Sequence, residues 1–147
     1  MKASEIMYSN LQSLFEGKVY PLVRPESEKG SPYLVYTVLN TNPETFIDGY
    51  SGDELAYLQI DIYSEDYDVC EAMTVRVIDL LDKKAQPFYY EGRRYLYEDD
   101  TKLFRQSLEC HLWQINWKTI LNYQGNNFDK VGNSNKFVGS VNIKTPE

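Results

Sequence analysis

Between Leu55 and Lys83 the apolar residues change their period from two to about 3.6, which calls for a strand followed at once by a helix. Leu58, Ile60 and Ile62 alternate with Gln59 and Asp61, the pattern of a strand with one buried face. After Ser64-Glu65-Asp66 the apolar positions are Tyr67, Cys70, Met73, Thr74, Val77, Leu80 and Leu81, which share one helical face. Ser64 or Asp66 can accept hydrogen bonds from the free N–H groups of the first turn, and Lys83-Lys84 suit the negative end of the helix dipole. With almost no loop between them, the helix must fold back across the apolar face of the sheet that holds the strand.

The 147 residues suffice for one domain with a hydrophobic core and no staples. A formal charge of -7 and the lack of a basic stripe argue against nucleic-acid binding, which depends on cations that displace phosphate counterions. No apolar run approaches the roughly 18 residues of a membrane span, and Met1-Lys2-Ala3-Ser4-Glu5 opens an amphipathic pattern, not a signal peptide. A cytosolic product with no membrane partner is expected. Cys70 and Cys110 both fall on apolar faces and are expected as free, buried thiols. Thirteen tyrosines against six phenylalanines suit either half-buried strands or a protein interface.

Ile6, Met7, Leu11, Leu14 and Phe15 recur at helical spacing, with Gly17 placed to end that helix. Lys18 to Arg24 is β-prone but holds Pro21, which restricts it to an edge or irregular strand. After the turn-rich stretch from Pro25 to Pro32, Tyr33 to Leu39 is dense in strand formers. Asn40 to Asp53 concentrates Asn, Pro, Gly and Asp and predicts a long loop that offers Phe46, Ile47 and Tyr50 either to the core or to a partner. Glu91-Gly92 between Phe88-Tyr89-Tyr90 and Arg93-Arg94-Tyr95-Leu96-Tyr97 predicts a tight hairpin, followed by the solvated acidic turn Glu98-Asp99-Asp100. From Arg105 to Lys118, Leu108, Cys110 and Leu112 face one way and His111, Trp113, Ile115 and Trp117 the other. A single domain over residues 1–121 is predicted. Residues 122–147 form a polar, Asn- and Gly-rich extension with isolated Phe128, Phe137 and Val138, expected to be flexible and to order on contact.

The sequence offers little to an enzyme. His111 is the one histidine, and its neighbour Cys110 points to the opposite side of the pleat, so no nucleophile and base are paired. There is no CxxC or HExxH, and Gly49 and Gly52 lack the strand-to-helix setting of a phosphate loop. Asp61, Glu65, Asp66 and Glu71 might be gathered into a metal-dependent nuclease site, but the periods place Asp61 on the polar strand face and Glu71 off the apolar helix stripe. No catalytic, metal or cofactor residue is expected.

The order of elements resembles that of the tail-completion proteins of long-tailed bacteriophages and prophages, a group similar to tail terminators and tail-to-head joining proteins. Val19-Tyr20-Pro21, Pro32-Tyr33-Leu34-Val35-Tyr36 and Leu58-Gln59-Ile60-Asp61-Ile62-Tyr63-Ser64 running into Tyr67 and the helix to Leu81 carry the resemblance, over about the first hundred residues. It implies an α+β fold, a twisted and largely antiparallel sheet with helices packed on one face. It implies a structural virion protein, assembled in the host cytoplasm, that sits as a ring, commonly of six subunits, on the head-proximal end of the tail tube. Such a ring ends polymerisation and meets the head connector, while the free chain is a monomer. It implies no catalytic residue. Phe46, Ile47, Tyr50, Trp113, Trp117, Phe128, Phe137 and Val138 are then the candidate contacts to self, tube protein and connector. The rival readings are a small α+β adaptor that uses its Tyr- and Trp-rich strand face, and the nuclease.

Overall fold

Strand gives way to helix at Ser64–Asp66, as the change of period requires. The Asp66 carboxylate accepts from the Val69 N–H at 3.1 Å, and the Asp66 N–H donates to Ser64 Oγ at 3.1 Å. Asp66→Ala removes this cap and is expected to cost about 1 kcal/mol, read as a lower denaturation midpoint at an unchanged denaturant slope. Lys83 and Lys84 occupy the last turn of the helix.

The computed structural model describes residues 2–85 and 87–115. In chain order the elements are α1 (Ala3–Leu11), β1 (Val19–Pro21), β2 (Tyr33–Phe46), β3 (Gly49–Ser64), α2 (Tyr67–Lys84), β4 (Phe88–Glu98) and β5 (Leu103–Ile115). The strands form one sheet in the order β1-β2-β3-β5-β4, antiparallel throughout except for β1, which runs parallel to β2. Both helices cover one face, so the fold is α+β with a largely antiparallel sheet. No described helix is long and apolar enough to cross a membrane.

The core lies between that face and the helices. Leu34, Leu58, Ile60, Ile62, Leu108 and Leu112 on the strands meet Ala3, Met7 and Leu11 of α1 and Cys70, Val77 and Leu81 of α2, all sealed from solvent. Each such large side chain contributes about 1.5–3 kcal/mol by leaving water. Two glutamines enter this face because they have partners. Gln114 accepts from the Ala3 N–H at 2.9 Å, which fixes the start of α1, and donates to Glu54 at 3.0 Å. Gln106 donates to Glu71 of α2 at 2.8 Å, and Arg93 reaches the same carboxylate at 3.3 Å. Glu71 therefore leans onto the sheet and bridges α2 to β4 and β5.

Three local expectations are corrected. Asn40 to Asp53 is not a loop: β2 and β3 continue as one long hairpin, closed by the pair Phe46↔Gly49 over Ile47 and Asp48. A bulge at Leu39 and an irregularity beyond Pro43 absorb the residues that read as loop formers, and Ser51 Oγ ties the irregular part by donating to the Glu44 carbonyl at 2.9 Å. Glu91-Gly92 is likewise no hairpin. β4 runs straight through it as a bulge between the pairs Tyr90↔Cys110 and Gly92↔Glu109, with Gly92 at φ 134, a backbone state that glycine accepts without steric cost. The real turn lies at the acidic residues, where the Lys102 N–H donates to the Glu98 carbonyl at 2.8 Å. Finally, α1 stops at Leu11 and the chain continues in tight turns to Gly17, whose N–H donates to the Gln12 carbonyl at 2.8 Å with φ at 84. Leu14 and Phe15 pack on the core from those turns.

Candidate functional site

The hairpin tip carries Ile47, the most exposed large apolar side chain among the described residues. Phe46 is 60% exposed, Ile47 fully so and Tyr50 39%. Pairing of β3 to β5 begins only at Asp53↔Ile115, so among the described residues the tip is held by its own two strands alone. Trp113 lies on β5 opposite Leu55, on the face away from the helices and toward the same end of the sheet. Thus Phe46, Ile47 and Tyr50 share the tip, while half-buried Trp113 lies back from it, at the level of Leu55 on β3. Trp117, Phe128, Phe137, Val138 and the extension 122–147 lie outside the described residues.

The helix-free face carries two aromatic clusters that only the register reveals. In the first, Tyr33 and Tyr63 stack at 4.6 Å, and the Arg24 guanidinium sits 4.0 Å over the Tyr33 ring. Arg105, 5.7 Å from the Tyr63 ring, bonds Asp61 at 3.1 Å and Glu98 at 3.4 Å. Burial opposes the charge on Arg105, but Asp61, Tyr63 and Glu98 more than offset it and the guanidinium pKa is raised. In the second, His111 lies between Tyr57 at 5.0 Å and Tyr89 at 4.6 Å, with the Glu91 carboxylate brought against Nδ1 by the bulge of β4. The histidine is thus held among aromatic rings, with no thiol beside it.

The four acids considered for a nuclease stand apart in role. Asp61 is 4% exposed and paired to Arg105, Glu65 is exposed, Asp66 caps α2, and Glu71 holds Gln106 and Arg93. Among the described residues no three His, Cys, Asp or Glu side chains are grouped so as to hold a metal ion.

Both cysteines are free and buried on the helix side. Burial pushes the Cys70 thiol up to about 11 and that of Cys110 up to about 12, and raises Tyr63 to about 12. In each case the folded state holds its proton more tightly than the unfolded chain. The stabilisation is complete below the ordinary values, 9.0 for the thiols and 10.0 for tyrosine, and is lost as pH rises to about 12. Thermal melts should therefore fall between pH 9 and pH 12, and Cys110→Ala should make that fall shallower, with the Cys70 and Tyr63 contributions left; a flat profile contradicts it.

The comparisons with known proteins agree with this architecture. A solved structure described as the virion of a native gene transfer agent particle contains a similar chain, with a TM-score of 0.53 at 13% identity over 70% of this chain and 82% of the other. At that identity the likeness is one of fold. No curated protein matches. The model of the family described as tail completion protein gp17 matches residues 8–115, which span β1 to β5, α2 and the last turn of α1. The chain belongs to the tail completion protein gp17 family, and its role is structural, in phage tail assembly.

Proposed function

We propose that the protein caps the head-proximal end of a phage tail tube, ends tube polymerisation and offers a surface to the head connector. The family match over residues 8–115 carries this reading. The exposed tip of Phe46, Ile47 and Tyr50 supports it, since projecting aromatic and aliphatic side chains are what a docking contact desolvates. The copies form a closed ring on the tube, commonly of six, through heterologous contacts in which one surface meets a different surface of the next copy. Free chains stay monomeric until a tube end is present. Trp113 adds to the contact from β5, and Trp117, Phe128, Phe137 and Val138 extend it from the chain beyond the described residues, with 122–147 acting as an extension that orders on assembly. Assembly takes place in the host cytoplasm and leaves the protein at the neck of the virion.

The test is a tube-growth assay with purified tube protein. Adding the full chain should halt elongation from one end and leave a visible plug at that end in electron micrographs. Elongation at the same rate from both ends contradicts the reading.

A further inference from the structure

Resting on the ring reading above, we propose that the Leu22-Val23-Arg24 turn of one copy docks on the outer edge of β4 and the adjoining Asp99-Asp100 turn of the next. The ring seam is then a head-to-tail contact between the two ends of one sheet.

The turn is built against local preference. Leu22 has φ 67, and the Val23 N–H donates to the Pro21 carbonyl at 2.7 Å, the three-residue turn of positive φ that is rare and strained. The Leu22 N–H is pinned to the Tyr36 carbonyl at 2.7 Å. Such strain usually falls where a side chain must be presented, and here two are: Leu22 is 70% and Val23 66% exposed. Arg24 follows, held rigid over Tyr33, which is itself stacked on Tyr63. Its Nε is shielded from solvent without a hydrogen-bond partner, and among the described residues its guanidinium has no ion pair. A rigid cation beside two exposed aliphatic side chains fits an apolar surface bordered by carboxylates.

The opposite end of the sheet has that chemistry. β4 is the last strand in the order, so among the described residues its outer edge has no partner along eleven residues, and no proline blunts it as Pro21 blunts β1. Tyr95, Leu96 and Tyr97 are exposed there, and the strand runs into exposed Asp99 and Asp100. Register places the two halves level. The row Tyr33↔Tyr63↔Arg105↔Leu96 runs from β2 to β4, so Arg24, over Tyr33, is level with Leu96, while Leu22, bonded to Tyr36 in the row Tyr36↔Ile60↔Leu108↔Arg93, is level with Arg93, and Val23 lies between the two. A rotation about the ring axis that carries one copy's β1 end to the next copy's β4 end brings turn and edge together, and because the two surfaces differ the contact runs head to tail round the ring instead of closing on itself as a dimer. The formal charge of -7 adds to the match, since the cation meets an acidic neighbour.

Disulfide trapping of the full chain bound to tube ends tests the seam. Native Cys70 and Cys110 are buried, so a Val23→Cys/Leu96→Cys chain oxidised with copper phenanthroline should link only at the engineered pair. The expected result is a ladder extending past the dimer, with each single variant staying monomeric. Dimers from a single variant, or no ladder from the double one, overturn the proposal. In the double-cysteine background, Arg24→Glu should reduce the ladder at least tenfold, and adding Asp99→Lys with Asp100→Lys should restore it. Leu22→Gly relieves the strained φ, so the chain should melt no lower than its parent yet lose the ladder; a ladder of unchanged yield would make the turn merely structural and reject it. If the wild-type chain caps tubes but the trapped pair never links on them, the seam is wrong and capping stands. If neither capping nor linking occurs, both fail.

Discussion

A Phe46→Ala/Tyr50→Ala chain is expected to fold as the parent does and to lose affinity for tube ends by about a thousandfold, since two central aromatic contacts are worth about 2 kcal/mol each and every 1.4 kcal/mol is tenfold. Folding should survive because both side chains lie at the tip of the β2–β3 hairpin, outside the cluster of Leu34, Ile60 and Leu108 that holds the sheet to its helices. The backbone pairing Phe46↔Gly49 does not depend on the side chains removed. Matched thermal melts for the two chains, with pelleting of tubes to measure binding, check both halves. Unchanged binding would reject the tip as a contact.

Arg105→Ala is expected to lower the unfolding free energy by about 3–5 kcal/mol. The loss exceeds the worth of the ion pair, because Asp61, 4% exposed, would be left with a desolvated carboxylate facing only the Gln59 amide, which donates to it at 3.0 Å. Glu98 would lose its cation as well. Replacing both members, Arg105→Met with Asp61→Leu, should recover most of the loss, since an apolar pair needs no such compensation. Urea denaturation of the three chains decides it; a single variant as stable as the parent would mean that Asp61 finds water.

Much of this was legible in the residues. The Leu55–Lys83 stretch, the apolar side of β5 and the edge character of the Pro21 strand are periodicities and steric rules, and the structure has each of them. The two mistaken breaks share one cause. Asn40 to Asp53 reads as a loop and Glu91-Gly92 as a hairpin turn, whereas bulges at Leu39 and Glu91 let strands pass through such residues while keeping their pairing. A bulge is a property of two strands together and cannot be seen in one. The parallel pairing of β1 and the stack of Arg24, Tyr33, Tyr63 and Arg105 are hidden for the same reason, since they join residues up to 81 positions apart through register alone. The composition singles out Phe46, Ile47 and Tyr50 but sets them in a loop, whereas they lie at the tip of a hairpin.

Removing the coding sequence from the phage that carries it tests tail capping most directly. Lysates should then contain full heads and separate tails, with the tubes overlong or uneven at their head-proximal ends, and the full chain supplied in trans should restore joined particles. Joined virions with tails of normal length in its absence would contradict the account.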